Sequence, residues 1–334
     1  MTSRPELSVS FHNFEGNFTP TKSALLRGLA ERFELKVEVL GKDLQFFSVW
    51  GKDLIPAKNR PRALRVWVTG EPYEPRHMIY DLHFGFLPES LMGKRWIRYP
   101  YWSTQIDWWD PASPLSPERL LGERRFSPRE KFCNFIYTNR TSFRTEFYDQ
   151  LNRRRPVDSL GRVLNNTGGP CADKIETIGN YQFTIAFENS LSPGYVTEKL
   201  IDPIAAGSIP IYWGASEAKT DLNPEAFIFA RDFDSFEALA DRVIDLSGSN
   251  EAMERIVTAP VFHGNRIPEQ YTNRYYVDRI VEALSSSAGM PERHTLNDVL
   301  IADQAIYGTR RTSKQRFRQS FRKRVDKIAR LLAR

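Results

Sequence analysis

Apolar and polar positions along the chain switch repeatedly between a period of two and a helical period. Leu7–Phe11 alternates apolar and polar residues, Ser23–Arg32 has a helix-like spacing, and Phe33–Leu40 alternates again. Phe46–Trp50, Arg65–Thr69 and Met78–Phe86 are further short apolar or β-prone runs, each bounded by Gly or Pro. Strands and helices in turn over residues 1–120 predict an open, mostly parallel sheet flanked by helices. Residues 110–130 then shift to Pro, Ser, Arg and Glu (Asp110-Pro-Ala-Ser-Pro-Leu-Ser-Pro117), the composition of an interdomain linker.

A second series begins at Phe132-Cys-Asn-Phe-Ile-Tyr137, with a helical stretch at Phe143–Asn152 and a Gly/Asn/Pro loop at Asn165–Pro170. Phe183–Phe187 reads as a buried strand, Val196–Ala206 as a helix stopped by Gly207, and Ile209–Trp213 as the next strand. Residues 183–213 thus have the length of one βαβ element. The expected division is an N-terminal domain over 1–120, a C-terminal domain over 121–290, a connecting segment over 291–309 and a tail over 310–334.

The length of 334 residues suits two domains or three, each able to bury a core without disulfide staples. Cys133 and Cys171 lack metal-ligand spacing, so a reducing compartment is expected. The N-terminal residues offer no apolar core of signal-peptide length, and no run approaches a bilayer-spanning helix. Neither secretion by a cleavable signal nor a transmembrane anchor is therefore expected, which would leave the acceptor triplets at Asn17, Asn139 and Asn165 unglycosylated.

The net charge of +6 changes meaning once divided. Residues 310–334 hold eleven Lys/Arg and one acid, while the other 309 residues hold 36 bases and 40 acids, a net of −4. A mildly acidic body argues against nucleic-acid binding. In the tail, Phe317, Phe321, Val325, Ile328 and Leu332 share one helical face, with Arg316, Arg318, Arg322, Lys323, Arg324, Lys327 and Arg330 elsewhere around it. This basic amphipathic helix fits an anionic membrane surface; docking on protein and a disordered basic end are the other readings.

The chemistry concentrates in Phe187-Glu-Asn-Ser-Leu-Ser-Pro-Gly-Tyr-Val-Thr-Glu-Lys-Leu-Ile-Asp202 and Gly207-Ser-Ile-Pro-Ile-Tyr-Trp-Gly214. A buried strand leads through a polar loop into a helix whose start carries Thr197, Glu198 and Lys199, an arrangement suited to binding phosphate at the carboxyl edge of a sheet. The same residues also suit a plain βαβ unit with Thr197 as a cap and Lys199 solvated. Asp232-Phe-Asp234 has the form of a metal–diphosphate motif, but Asp234 with Glu237 reads better as a capping box. The five histidines show no ligand pairing, so no metal is expected. Trp96, Tyr99, Tyr101, Trp102, Trp108 and Trp109 crowd one region, as a sugar-stacking platform or as core packing. Nucleophile-elbow and phosphate-loop motifs are missing from the sequence.

The segment 187–214 closely resembles the signature of the α-1,3/α-1,4-fucosyltransferases, glycosyltransferase family ten, in a bacterial type, with Leu191-Ser-Pro193 as the departure in the variable loop. The resemblance runs over roughly residues 60–235. It takes in Arg144 in Ser142-Phe-Arg-Thr-Glu-Phe-Tyr-Asp149, otherwise a surface residue paired with Glu146 or Asp149, and Glu71 in Trp67-Val-Thr-Gly-Glu71, otherwise an exposed loop carboxylate. It implies an α/β GT-B architecture, two Rossmann-like domains facing across a cleft with the nucleotide-sugar in the C-terminal one. It further implies GDP-fucose as donor with no cofactor, and a glycan acceptor, lipid-linked where the tail meets the inner face of the cytoplasmic membrane. On that resemblance Glu71 is expected to act as general base, and Arg144 and Lys199 to meet the diphosphate. Glu198 is expected to accept from ribose hydroxyls, with Asn189, Tyr195, Val196 and Thr197 completing the donor site.

Overall fold

The structure, a computed structural model, describes residues 4–16, 18–50, 63–72, 80–169, 171 and 173–286; the connecting segment 291–309 and the basic tail helix expected over 310–334 lie outside the described residues. The chain divides into two units, the first running to Arg98 and resuming at Asp278, the second running from Tyr99 to Val277.

In the first unit β1 (Glu6–His12), α1 (Ala24–Ala30), β2 (Glu34–Val37), β3 (Leu44–Phe47), β4 (Leu64–Val68), β5 (Leu82–Gly85), α2 (Glu89–Met92) and β6 (Trp96–Arg98) follow one another. The strands form one sheet in the order β2-β1-β3-β4-β5-β6, every pairing parallel. Every residue of β3 and β5 is buried, as expected of parallel strands covered on both faces. Where the run Phe46–Trp50 suggested a strand, the regular ladder ends at Phe47, although the Ser48 and Trp50 amides still donate to the His12 and Asn13 carbonyls, and Trp50 is exposed. The sequence pattern missed β6, because its three residues sit at the start of the aromatic cluster.

The second unit contains α3 (Pro117–Leu121), β7 (Lys131–Phe135), α4 (Ser142–Asn152), β8 (Asp158–Ser159), α5 (Lys174–Ile178), β9 (Tyr181–Phe187), α6 (Glu198–Ala205), β10 (Ile209–Trp213), α7 (Ala218–Asp221), β11 (Ile228–Phe229), α8 (Phe236–Ser247) and α9 (Asn250–Thr258). Its sheet is also parallel, in the order β11-β10-β9-β7-β8. The core clusters Phe135, Phe147, Phe183, Ile185 and Phe187 with Leu239 and Val243 of α8. Helix α10 (Asn273–Ser285) carries the chain from the second unit back into the first, where Asp278 pairs with Arg32 and Arg279 donates to the Lys94 carbonyl at 2.7 Å.

These divisions differ from those expected. The crossing lies at Arg98 rather than near residue 120, and residues 110–130 form a pinned part of the second unit rather than a linker. Ser116 caps α3 by accepting from the Arg119 amide. Arg124 donates to the carbonyls of Ile204 (3.0 Å) and Ala259 (2.8 Å), and Arg129 to those of Ala206 (2.9 Å) and Gly207. Polar composition had signalled a loop; those long-range contacts fasten it.

Of the aromatic cluster, Trp96, Tyr99 and Trp102 are core. The Trp102 indole donates to Asp221 at 3.0 Å. Tyr101 is exposed. No helix among the described residues is long and apolar enough to cross a membrane.

Candidate functional site

The site is built where β9 ends. Phe187 closes the buried strand, and the next residue, Glu188, is a carboxylate with 0% exposure. A buried charge needs partners. Glu188 has them: Oε1 accepts from the Thr197 amide (2.8 Å), the Thr197 hydroxyl (2.9 Å) and the Tyr212 hydroxyl (3.2 Å), and Oε2 lies 3.5 Å from Lys199 Nζ. Burial pushes the Glu188 carboxyl above its usual range, with Lys199 and Thr197 opposing that shift. The loop after it turns at Gly194, whose φ of +70° lies in the left-handed region that favours glycine. Thr197 then caps α6, its hydroxyl accepting from the Lys199 amide.

Lys199, in the first turn of α6, has a side chain only 17% exposed. Its ammonium lies 3.2 Å from Glu198 Oε1 and 3.2 Å from the Thr197 hydroxyl as well as near Glu188. Burial disfavours this charge, yet the two carboxylates outweigh it and hold the ammonium protonated well above its ordinary range. Glu198, with a side chain 23% exposed, shows the converse: burial opposes ionisation, while Lys199 and Lys174 overcome it and leave the carboxyl below its usual range. Lys174 opens α5, and its ammonium lies 2.7 Å from buried Asp202 and 3.8 Å from Glu198.

Arg144 projects from the first turn of α4 and is 1% exposed, so it is not the surface residue that pairs with Glu146 or Asp149. Its guanidinium donates to the Phe187 carbonyl (2.6 Å and 3.2 Å), to Asn189 Oδ1 (2.7 Å) and to the Asn139 carbonyl (3.3 Å), and lies 4.1 Å over the Tyr137 ring. Burial lowers its proton affinity, while Tyr137 and Glu188 counteract this. Buried Arg144 and half-buried Lys199 therefore converge on three consecutive residues: Arg144 on Phe187 and Asn189, Lys199 on Glu188. Both sit at the carboxyl edge of the parallel sheet, where α/β folds bind ligands.

Of the remaining expected site residues, Asn189 is half-buried against Arg144, while Tyr195 and Val196 are buried. Glu71 belongs to the first unit, just beyond β4. It is half-buried, its amide donates to Thr69 Oγ1 at 3.0 Å, and the Thr69 hydroxyl donates back to the Glu71 carbonyl at 2.8 Å. That reciprocal pair fixes the backbone that presents the carboxylate.

The sequence reading gave no role to Glu188, Lys174 or Asp202. Glu188 carried a signal, a carboxylate directly after a buried apolar strand; the contacts of Lys174 depend on a neighbouring helix 28 residues away. No group of three or more metal-ligating side chains exists among the described residues. Asp232 is paired with Lys219 (2.6 Å), and the cap of α8 is Ser235, accepting from the Ala238 amide, not the expected Asp234. The register is off by one because Asp and Ser are equally good caps in sequence.

A family model described as Glycosyltransferase family 10 (fucosyltransferase) C-term matches residues 127–257. A second, Alpha-(1,3)-fucosyltransferase FucT N-terminal domain, matches 9–105, further towards the N-terminus than the resemblance read from the residues. The chain is 30% identical over 209 residues to the alpha-(1,3)-fucosyltransferase FucT of Helicobacter pylori, covering 54% of this chain and 44% of that one. It is 38% identical over 199 residues to a 3-galactosyl-N-acetylglucosaminide 4-alpha-L-fucosyltransferase of Homo sapiens, covering 57% and 52%. The chain thus spans about half the length of these curated relatives. Among solved structures, an alpha1,3-fucosyltransferase with GDP-fucose superposes with a TM-score of 0.66 at 23% identity over 88% of this chain and 94% of that one. HepE of Anabaena with UDP and glucose gives 0.52 at 9% identity over 84% and 100%. These two likenesses show the fold, that of the GT-B glycosyltransferases.

Proposed function

We propose, from the premise that the chain belongs to glycosyltransferase family 10, that it is a fucosyltransferase. It moves L-fucose from GDP-β-L-fucose to a hydroxyl of an N-acetylglucosamine-type residue in a glycan, forming an α-1,3 or α-1,4 linkage. The observation that carries this reading is the pair of cations, buried Arg144 and half-buried Lys199, meeting on residues 187–189 beside the head of α6. The choice of GDP-fucose draws on the similar solved structure that holds it. The choice of acceptor draws on relatives named for galactosyl-N-acetylglucosaminides.

The chemistry follows from charge. Passing from a β-linked donor to an α-linked product inverts the anomeric carbon in one displacement. The acceptor oxygen forms its bond as the bond to the diphosphate breaks, through an oxocarbenium-like transition state. The diphosphate leaves with the electron pair, and Arg144, Lys199 and the positive end of the α6 dipole stabilise the charge growing there. Glu71 takes the proton of the acceptor hydroxyl. Glu198 accepts from the ribose hydroxyls, and Asn189, Tyr195, Val196 and Thr197 complete the donor site. Two fixed cations supply what a divalent metal would, so no cofactor enters and transfer survives EDTA; complete loss in chelator would overturn that part. The basic tail holds the protein on the anionic inner face of the cytoplasmic membrane, beside lipid-linked acceptors.

Calorimetric titration of the metal-free protein with GDP, UDP and CMP tests the donor. Micromolar GDP binding with little response to the others is expected. A preference for UDP would assign a different sugar nucleotide to this scaffold. Tight GDP binding without turnover of GDP-fucose would indicate a silent nucleotide-binding protein.

A further inference from the structure

Glu198 and Asp202 stand four residues apart on α6, so they share a helix face, and like charges in that relation repel. The ammonium of Lys174, from α5, lies against both, at 2.7 Å from Asp202 Oδ2 and 3.8 Å from Glu198 Oε1. The two carboxylates differ in depth: the Asp202 side chain is 7% exposed, that of Glu198 is 23%. The deep carboxylate anchors the lysine, and the shallow one is presented outward. Glu198 Oε1 also lies 3.2 Å from Lys199, but Lys199 is shared with Glu188 and is the cation a diphosphate would engage. A second cation, Lys174, keeps Glu198 oriented while Lys199 serves an anionic ligand.

We infer that Lys174, anchored by Asp202, is a positioning residue for the nucleotide site, holding Glu198 ionised with Oε1 committed so that Oε2 is turned to the ribose hydroxyls of a nucleoside diphosphate. This rests on the reading of Glu198 as the acceptor of those hydroxyls. A lysine serving only to fasten α5 to α6 would need no more than its bond to Asp202; the approach to Glu198 gives it a ligand-dependent role.

Titration of the full chain with GDP and with 2′,3′-dideoxy-GDP separates the possibilities. The wild-type protein binds GDP more tightly than the dideoxy form. Lys174→Met weakens GDP binding about tenfold, the scale of one charge-assisted hydrogen bond, and leaves dideoxy-GDP within about twofold. Lys174→Arg, which keeps the cation, restores most of the GDP affinity. An equal loss for both nucleotides, or a Lys174→Arg variant that binds GDP as weakly as Lys174→Met, would assign Lys174 to helix packing alone and overturn the inference. If Lys174→Met fails to fold, Lys174→Arg and Lys174→Gln are compared for the same GDP-to-dideoxy ratio, and an unchanged ratio in both overturns it. Discrimination in the wild type that Lys174→Met leaves intact overturns the inference alone. Absence of discrimination in the wild type overturns the ribose role of Glu198 and the inference with it.

Discussion

A carboxyl held against two ammonium groups releases its proton at a lower pH than one in water. Glu198 is in that position, and although burial works against ionisation, Lys199 and Lys174 leave it below its ordinary value of 4.5. A group depressed on folding contributes stability that is fully present above its unfolded value and is lost as pH falls through the folded one. Thermal melts of Glu198→Gln from about pH 6 to pH 3 are therefore expected to decline less steeply on the acid side than those of the wild type. Glu188 and Asp202, both raised by burial, act in the opposite sense and persist in the variant. Parallel declines would show that Glu198 is not the group depressed. At Glu188 itself, alanine strips the Thr197 and Tyr212 bonds and unbalances a nearly buried lysine, which predicts a loss of about 3 kcal/mol in urea unfolding. A loss under about 1 kcal/mol would mean that the pair carries little stability. Glu71 is a different case, since its proposed part is chemical. Glu71→Gln abolishes transfer while GDP affinity stays within a few-fold, and a tenfold loss of GDP binding would place it in the donor pocket instead.

Helix α6 is the element on which the site depends, and it is secured at both ends. Thr197 caps its start, while Arg124 and Arg129 reach its last carbonyls, where cations also oppose the negative end of the helix dipole. The chain leaves the helix through Gly207 at φ +70°, and a Cβ there would lie 2.8 Å from the Arg129 guanidinium. Gly207→Ala therefore meets both left-handed strain and a displaced arginine, a predicted cost of about 1–2 kcal/mol by urea midpoint. A change below about 0.5 kcal/mol would mean that the turn relaxes freely. The pattern from Val196 to Gly207 announced this helix and its stop correctly. The arginine clamp was not legible: residues 110–130 show only polar composition, and their partners lie some 80 residues further along the chain.

For the molecule as a whole, charge separates two behaviours. The body outside residues 310–334 carries −4, and the tail alone is basic. If the tail binds membrane, vesicles containing anionic lipid co-sediment the full chain but not one truncated after Gly308, with the difference fading at high salt as surface charges are screened. Equal pelleting of both would remove the membrane role. The alternation of periods was enough to specify two parallel α/β units, because side-chain periodicity is a local consequence of backbone geometry. The run from Phe187 to Gly214 likewise announced a strand, a glycine turn and a capped helix, since all three are written in neighbouring residues. What only the tertiary structure decided are relations between distant segments. They include the crossing at Arg98, the return of α10 to the first unit, the burial of Arg144 under β9, and Lys174 set between Glu198 and Asp202. The last two arise because a buried charge, Arg144 or Asp202, must find a partner wherever packing places one, and a linear pattern carries no record of that distance.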